Sequence, residues 1–95
     1  MSAYVIANLT VTDPEQLGRY AELVPATIEK YGGRYLVRGG KFDVIEGTWS
    51  PHLVVVLEFP SWDAALTWYN SEEYRPLKEM RMKSAHTDGV LVQGT

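Results

Sequence analysis

Leu53-Val54-Val55-Val56-Leu57-Glu58-Phe59 reads as a strand, and it constrains the rest of the chain. Successive residues of a strand point to opposite faces, so a half-exposed strand alternates apolar and polar side chains. This run is apolar at every position from Leu53 to Leu57, so both of its faces are covered. Upstream, Trp49-Ser50-Pro51 is a turn leading into it. Before that turn lies Tyr31-Gly32-Gly33-Arg34-Tyr35-Leu36-Val37-Arg38-Gly39-Gly40, a second strand bracketed by two glycine pairs. Gly32-Gly33 suits the left-handed conformation that follows a helix's last turn. Gly39-Gly40 signals a bulge or a close backbone approach, beyond which the strand continues toward Glu46. Alternation places Arg34, Leu36 and Arg38 on one face of this strand and Tyr35 and Val37 on the other.

Downstream, Pro60-Ser61-Trp62-Asp63 opens a helix, with Ser61 as cap and Asp63 complementing the helix dipole. Trp62, Ala65, Leu66 and Tyr69 form its expected buried stripe, and Trp68 falls off that stripe, at a subunit contact. Asn70-Ser71-Glu72-Glu73 reads as a break and a re-capped helical segment reaching about Lys83. A short last strand covers Gly89 to Gln93.

At the other end, Ala3 to Val11 alternates as a strand. Tyr4, Ile6, Asn8 and Thr10 share one face, and Ala3, Val5, Ala7, Leu9 and Val11 share the other, apolar one. Asp13-Pro14-Glu15-Gln16 is a helix start: Asp13 caps, proline suits the first helical position, and Gln16 completes a capping-box spacing. Leu17, Tyr20, Ala21, Val24 and Ile28 follow the spacing of an amphipathic helix ending near Tyr31, with Pro25 removing one backbone donor inside it.

The order strand, helix, strand, strand, helix, strand, without repeat or linker, is that of one α+β domain over residues 1–95. It predicts a ferredoxin-like βαββαβ sandwich, a four-stranded antiparallel sheet with two helices on one face. Two helices cover one face only. The doubly apolar third strand needs cover on the other face as well, and a second copy of the chain is the simplest cover. A homodimer, extending to a higher oligomer if further surfaces pair, is therefore expected, with a pocket for a small organic ligand.

Composition narrows the function classes. The net charge is −3, and no basic cluster interrupts the chain. Nucleic acids and anionic membranes both call for a concentrated positive patch, so neither is an expected partner. There is no cysteine, which removes disulfides, thiolate catalysis and zinc-thiolate sites and fits a cytoplasmic protein. No signal peptide is read at the N-terminus, and the longest apolar run is too short to span a bilayer. The glycine pairs match neither the dinucleotide fingerprint nor a P-loop, and the two histidines, His52 and His86, lack partners at a metal-binding or nucleophile–base spacing. No cofactor or metal is called for.

Tyr31 to Gly40, Glu46-Gly47-Thr48-Trp49, Glu58-Phe59-Pro60-Ser61, Trp68-Tyr69-Asn70-Ser71-Glu72-Glu73-Tyr74 and Arg81, in this order and spacing, resemble the domain of unknown function 1330 family. The resemblance covers nearly the whole chain. It implies a ferredoxin-like subunit of the dimeric α/β-barrel superfamily and no particular reaction. The wider superfamily implied includes cofactor-independent monooxygenases, lactone isomerases, haem-degrading enzymes and ligand-binding regulators.

Several side chains qualify as site residues. Arg38 either holds a carboxylate or enolate by paired hydrogen bonds or is structural, paired with Glu58 or Glu46 or bound to backbone at the glycine break. Glu58, at the end of an apolar run, is either paired with arginine or raised in pKa as a general base; His52 is the other candidate base. Asn8 either donates to a ligand oxygen or satisfies nearby backbone. Trp49, Trp68, Tyr69 and Tyr74 either enclose a flat ligand or fill the core. The expected function is that of a small-molecule enzyme or binder acting on a carbonyl- or carboxylate-bearing compound. Its sharpest form is a cofactor-independent oxygenase or isomerase; the alternative is a non-enzymatic ligand-sensing or assembly module.

Overall fold

A computed structural model describes residues 1–95, and each element starts where local chemistry lets it. Strand β1 (Ala3–Val11) leads into helix α1 (Pro14–Lys30), where the Asp13 side chain accepts from the Gln16 backbone N–H and Pro14 sits in the first turn. Gly32, with φ of 79°, turns the chain out of α1, and the Gly33 N–H closes back onto the Ile28 carbonyl at 2.9 Å. Strands β2 (Arg34–Arg38) and β3 (Leu53–Phe59) follow. Ser61 then caps α2 (Trp62–Tyr69) by accepting from the Ala64 N–H. The expected break falls at Asn70 to Tyr74, and α3 (Arg75–Ser84) runs directly into β4 (Ala85–Gln93).

The sheet order is β2-β3-β1-β4 with every pair antiparallel, the ferredoxin-like arrangement expected from the element order. Register sorts the faces. Val5 lies opposite Leu57 and Leu91, and Ala7 opposite Val55 and Gly89, on the face under the helices. Tyr4, Ile6 and Asn8 lie opposite Glu58, Val56 and Val54 on the open face. The core sits between the first face and the helices: Val24 and Ile28 of α1, Leu57 and Phe59 of β3, Ala65 and Trp68 of α2, then Tyr74 and Leu77. No helix is long and apolar enough to cross a membrane.

Four local expectations are corrected. Strand β2 ends at Arg38 rather than continuing toward Glu46: Gly39 takes φ of 69° and presses on the Leu53 side chain where no Cβ would fit, and residues 40–52 carry no strand. The register of β2 against β3 shifts between Tyr35 and Val37, so Arg34 pairs opposite Glu58 whereas Arg38 pairs opposite Val55. That single inserted residue sends the two arginines to opposite faces. Strand β4 begins at Ala85, four residues before Gly89, because it pairs with β1 along its full length. In α2 the buried residues are Ala65 and Trp68, and Trp68 is 2% exposed, whereas Trp62, Leu66 and Tyr69 are open to solvent. The helix is rotated so that its tryptophan fills the core instead of meeting a neighbouring subunit.

Candidate ligand-binding site

The helices do not close fully on the sheet. Between them lies a cavity of about 930 Å³, within the size range of small-molecule sites. Its walls are largely apolar: Val5, Ala7 and Leu9 of β1, Leu53, Val55 and Leu57 of β3, Leu91 of β4, and Ile28, Ala65 and Trp68 from the helices. The small residues Ala7 and Gly89, side by side on the inner face, leave the space that larger residues would fill. Arg38, Leu66, Tyr69 and Met82 are solvent-exposed lining residues and form the mouth, whereas Trp68, Tyr74 and Arg81 are buried and form the floor.

An aromatic cluster builds the floor. The Trp68 ring lies 4.1 Å from that of Tyr74 and 5.2 Å from that of Phe59, and its indole N–H donates to Thr27 Oγ1 at 3.0 Å. The Tyr74 hydroxyl meets that of Tyr20 at 2.9 Å and accepts from Arg81 Nε at 3.3 Å. A chain of three polar groups from α1, the turn before α3, and α3 thus runs along the cavity floor. Burial, with the neighbouring Tyr74 oxygen, drives the Tyr20 pKa well above that of an ordinary phenol, so Tyr20 stays protonated. Tyr35 is likewise raised, chiefly by burial. Burial opposes the charge of Arg81 and the hydrogen bond from its Nε to the Tyr74 hydroxyl supports it, so Arg81 stays protonated. Thr87 Oγ1, buried in the lining, has no hydrogen-bond partner.

Among the side chains singled out in the sequence, Arg38, Trp68, Tyr69 and Tyr74 meet around this cavity. The bulge in β2 is what brings Arg38 there. Its guanidinium stacks on the Tyr35 ring at 4.5 Å and donates to the Ala21 carbonyl at 2.6 Å, forming no pair with Glu58 or Glu46. Tyr69 carries the Lys78 ammonium 4.1 Å above its ring. Asn8, Trp49, His52 and Glu58 lie elsewhere. Asn8 Oδ1 accepts from the backbone N–H groups of His52 and Leu53, pinning the start of β3. His52 Nδ1 sits 3.2 Å from Thr10 Oγ1 at the surface, and Trp49 is 59% exposed in the loop between β2 and β3. Glu58 takes the paired alternative, with Arg34 Nε at 2.8 Å and the Tyr4 hydroxyl at 3.3 Å. Hydrogen bonds from Arg34 and Ser2 hold its carboxyl below the usual carboxylate range, the reverse of a general base poised near neutrality.

Tyr20, Tyr35 and Arg81 belong to the site and were not among the candidates. Arg81 was legible in principle: Tyr74, Leu77 and Arg81 recur at intervals of three and four, which places the arginine on the buried stripe of α3.

The model of the domain of unknown function DUF1330 matches residues 2–95. The chain belongs to this family. Among solved structures, the DUF1330 chain is similar to a protein of unknown function from Rhodopseudomonas palustris, with a TM-score of 0.77 at 16% identity, covering 99% of this chain and 82% of the other. It is also similar to a dimeric ferredoxin-like protein of unknown function from Jannaschia sp. CCS1, with a TM-score of 0.71 at 12% identity over 99% and 100% of the two chains. A third is SnoaB, a cofactor-independent oxygenase from Streptomyces nogalater, with a TM-score of 0.68 at 10% identity over 99% and 93%. Identities this low establish the shared fold and leave each activity with its own protein. No curated protein matches the DUF1330 chain.

Proposed function

We propose that this DUF1330 protein binds a small organic compound bearing a carbonyl or carboxylate in the cavity between its sheet and helices. The observation that carries this reading is the cavity itself: a largely apolar enclosure with a few polar groups converging on it, Arg38 at the mouth and the Tyr20–Tyr74–Arg81 chain at the floor. The aromatic rings of Trp68, Tyr69 and Tyr74 would cover the apolar body of the ligand, while an arginine would neutralise its oxygen.

Two versions of this function differ in what happens to the ligand. In one, the protein is a cofactor-independent oxygenase or isomerase, a reading supported by the fold likeness to SnoaB. In the other it is a non-enzymatic ligand sensor. The cavity lining holds no aspartate or glutamate, so in the first version His86, the one histidine of the lining, would be the base for carbanion formation. We further propose that the protein is a homodimer joined through the open sheet face. That face carries Ile6, Val54, Val56, Val90 and Val92 with no cover from the chain's own helices, and the Jannaschia neighbour is described as dimeric. Asn8 and Glu58 would then stand in the subunit contact.

A thermal-shift screen of organic acids, phenols, lactones and haem tests the reading, since a ligand of the native state raises Tm by mass action. A saturable shift supports the pocket. Incubation of any hit in air with product analysis then separates turnover from binding. A panel that shifts nothing contradicts the reading.

A further inference from the structure

The lining of the cavity contains two arginines, Arg38 and Arg81, and not one carboxylate, in a chain whose overall charge is −3. A buried cation ordinarily has an anionic partner, because removing it from water is costly unless the charge is compensated. Arg81 is 9% exposed, yet it forms no ion pair. Its one side-chain hydrogen bond runs from Nε to the neutral Tyr74 hydroxyl, so the terminal nitrogens of the guanidinium have no acceptor in the chain, and they keep accessible surface in a residue that lines the cavity. Arg38 is in a different condition. It is exposed at the mouth, stacked on Tyr35 and already bonded to the Ala21 carbonyl. Water screens a charge there, while the same charge at the floor acts through a less polar medium.

Resting on the reading of this cavity as a ligand site, we propose that its occupant is a monoanionic organic acid whose carboxylate docks on the terminal nitrogens of Arg81. The Tyr20–Tyr74 pair backs that contact. The phenolic oxygen of Tyr74 fixes the guanidinium through Nε, which leaves the planar fork free for two parallel bonds to a carboxylate. The apolar walls receive the hydrocarbon or aryl body, and the open mouth accepts acids of differing length. Arg81 thereby selects the charge of the ligand, whereas Arg38 shapes the entrance.

The decisive comparison keeps shape and changes charge. The wild-type protein is titrated calorimetrically with octanoate and 2-naphthoate and with their primary amides, octanamide and 2-naphthamide. The acids are expected to bind at least about tenfold more tightly than the amides, the size of one charge-assisted pair of hydrogen bonds. Arg81→Gln is expected to erase that preference while retaining amide binding, and Arg38→Gln is expected to keep it. If Arg81→Gln fails to fold, the acid preference of Arg38→Gln decides, because Arg81 is then the one arginine left in the lining. Equal binding of acids and amides by the wild type overturns the anion assignment and leaves the cavity reading standing, as does a preference that survives Arg81→Gln. Absence of binding by all four compounds overturns both.

Discussion

Gly33 provides the sharpest test of how the helices are seated on the sheet. A Cβ built at this position would meet Phe59 Cε1 at 2.6 Å, Ile28 Cγ2 at 2.8 Å and Phe59 Cζ at 2.8 Å, where ordinary contact begins near 3.4 Å. Both neighbours are in the core: Phe59 is 0% exposed and Ile28 1%. Neither is the free end of a flexible chain, so Gly33→Ala forces α1 or β3 to move. Overpacking of this kind costs about 1–3 kcal/mol, partly offset by about 0.4–1 kcal/mol from the reduced freedom of the unfolded chain. For a domain of this size a net loss of about 1 kcal/mol lowers Tm by roughly 4–8 °C. Gly40→Ala is the control, since nothing lies within 4 Å of its would-be Cβ and its φ is not positive. Urea denaturation should show a lower midpoint for Gly33→Ala at unchanged slope and a midpoint for Gly40→Ala equal to or above wild type. If Gly33→Ala is as stable as Gly40→Ala, α1 does not pack on Phe59 as described.

Tyr74→Phe deletes the hydroxyl that links Tyr20 to Arg81 and should cost about 1–3 kcal/mol in urea denaturation, because two polar partners lose their bonds in the interior; an unchanged midpoint would mean that the floor network does not form. Glu58 and Glu73 both have folded pKa values held below their reference of 4.5, by Arg34 and by Tyr31 with Lys30 respectively. Their stabilisation is complete above that reference and declines as pH falls through the depressed folded values, so Tm should drop on acidification from about pH 5 toward about pH 3. Glu58→Gln should flatten that profile, and a profile identical to wild type would refute the pairing. Val56→Lys places a charge in the middle of the open sheet face. Light scattering should give a dimer for wild type and a monomer for this variant, whereas a wild-type monomer would refute the proposed subunit contact.

The strand order and the helix starts were legible because each rests on a local, strongly encoded feature. Asp13-Pro14 and Ser61 cap the helices they announce, and the unbroken apolar run of β3 marks a strand inside the sheet. The site was less legible, for two physical reasons. Period-two alternation assumes that every residue of β2 has one partner, and the register shift between Tyr35 and Val37 breaks that assumption without a glycine or proline to mark it. Arg38 therefore reaches the cavity from a face opposite to that of Arg34. In an eight-residue helix such as α2, several apolar stripes fit the sequence, and tertiary packing against Phe59 and Tyr74 chose the one through Trp68. The floor network joins Tyr20 to Tyr74 and Arg81 across more than fifty residues of chain, beyond the reach of local spacing.

The most direct test of the central claim, that the ligand enters between sheet and helices, is a methyl-resolved NMR titration with octanoate. Neighbouring positions of β3 report opposite faces: Val55 and Leu57 line the cavity, whereas Val54 and Val56 lie on the open face with Ile6. Saturable shifts at Val55 and Leu57, with Val54 and Val56 unmoved, are the result this account predicts. Shifts confined to Val54, Val56 and Ile6 would put the ligand on the open sheet face and contradict it.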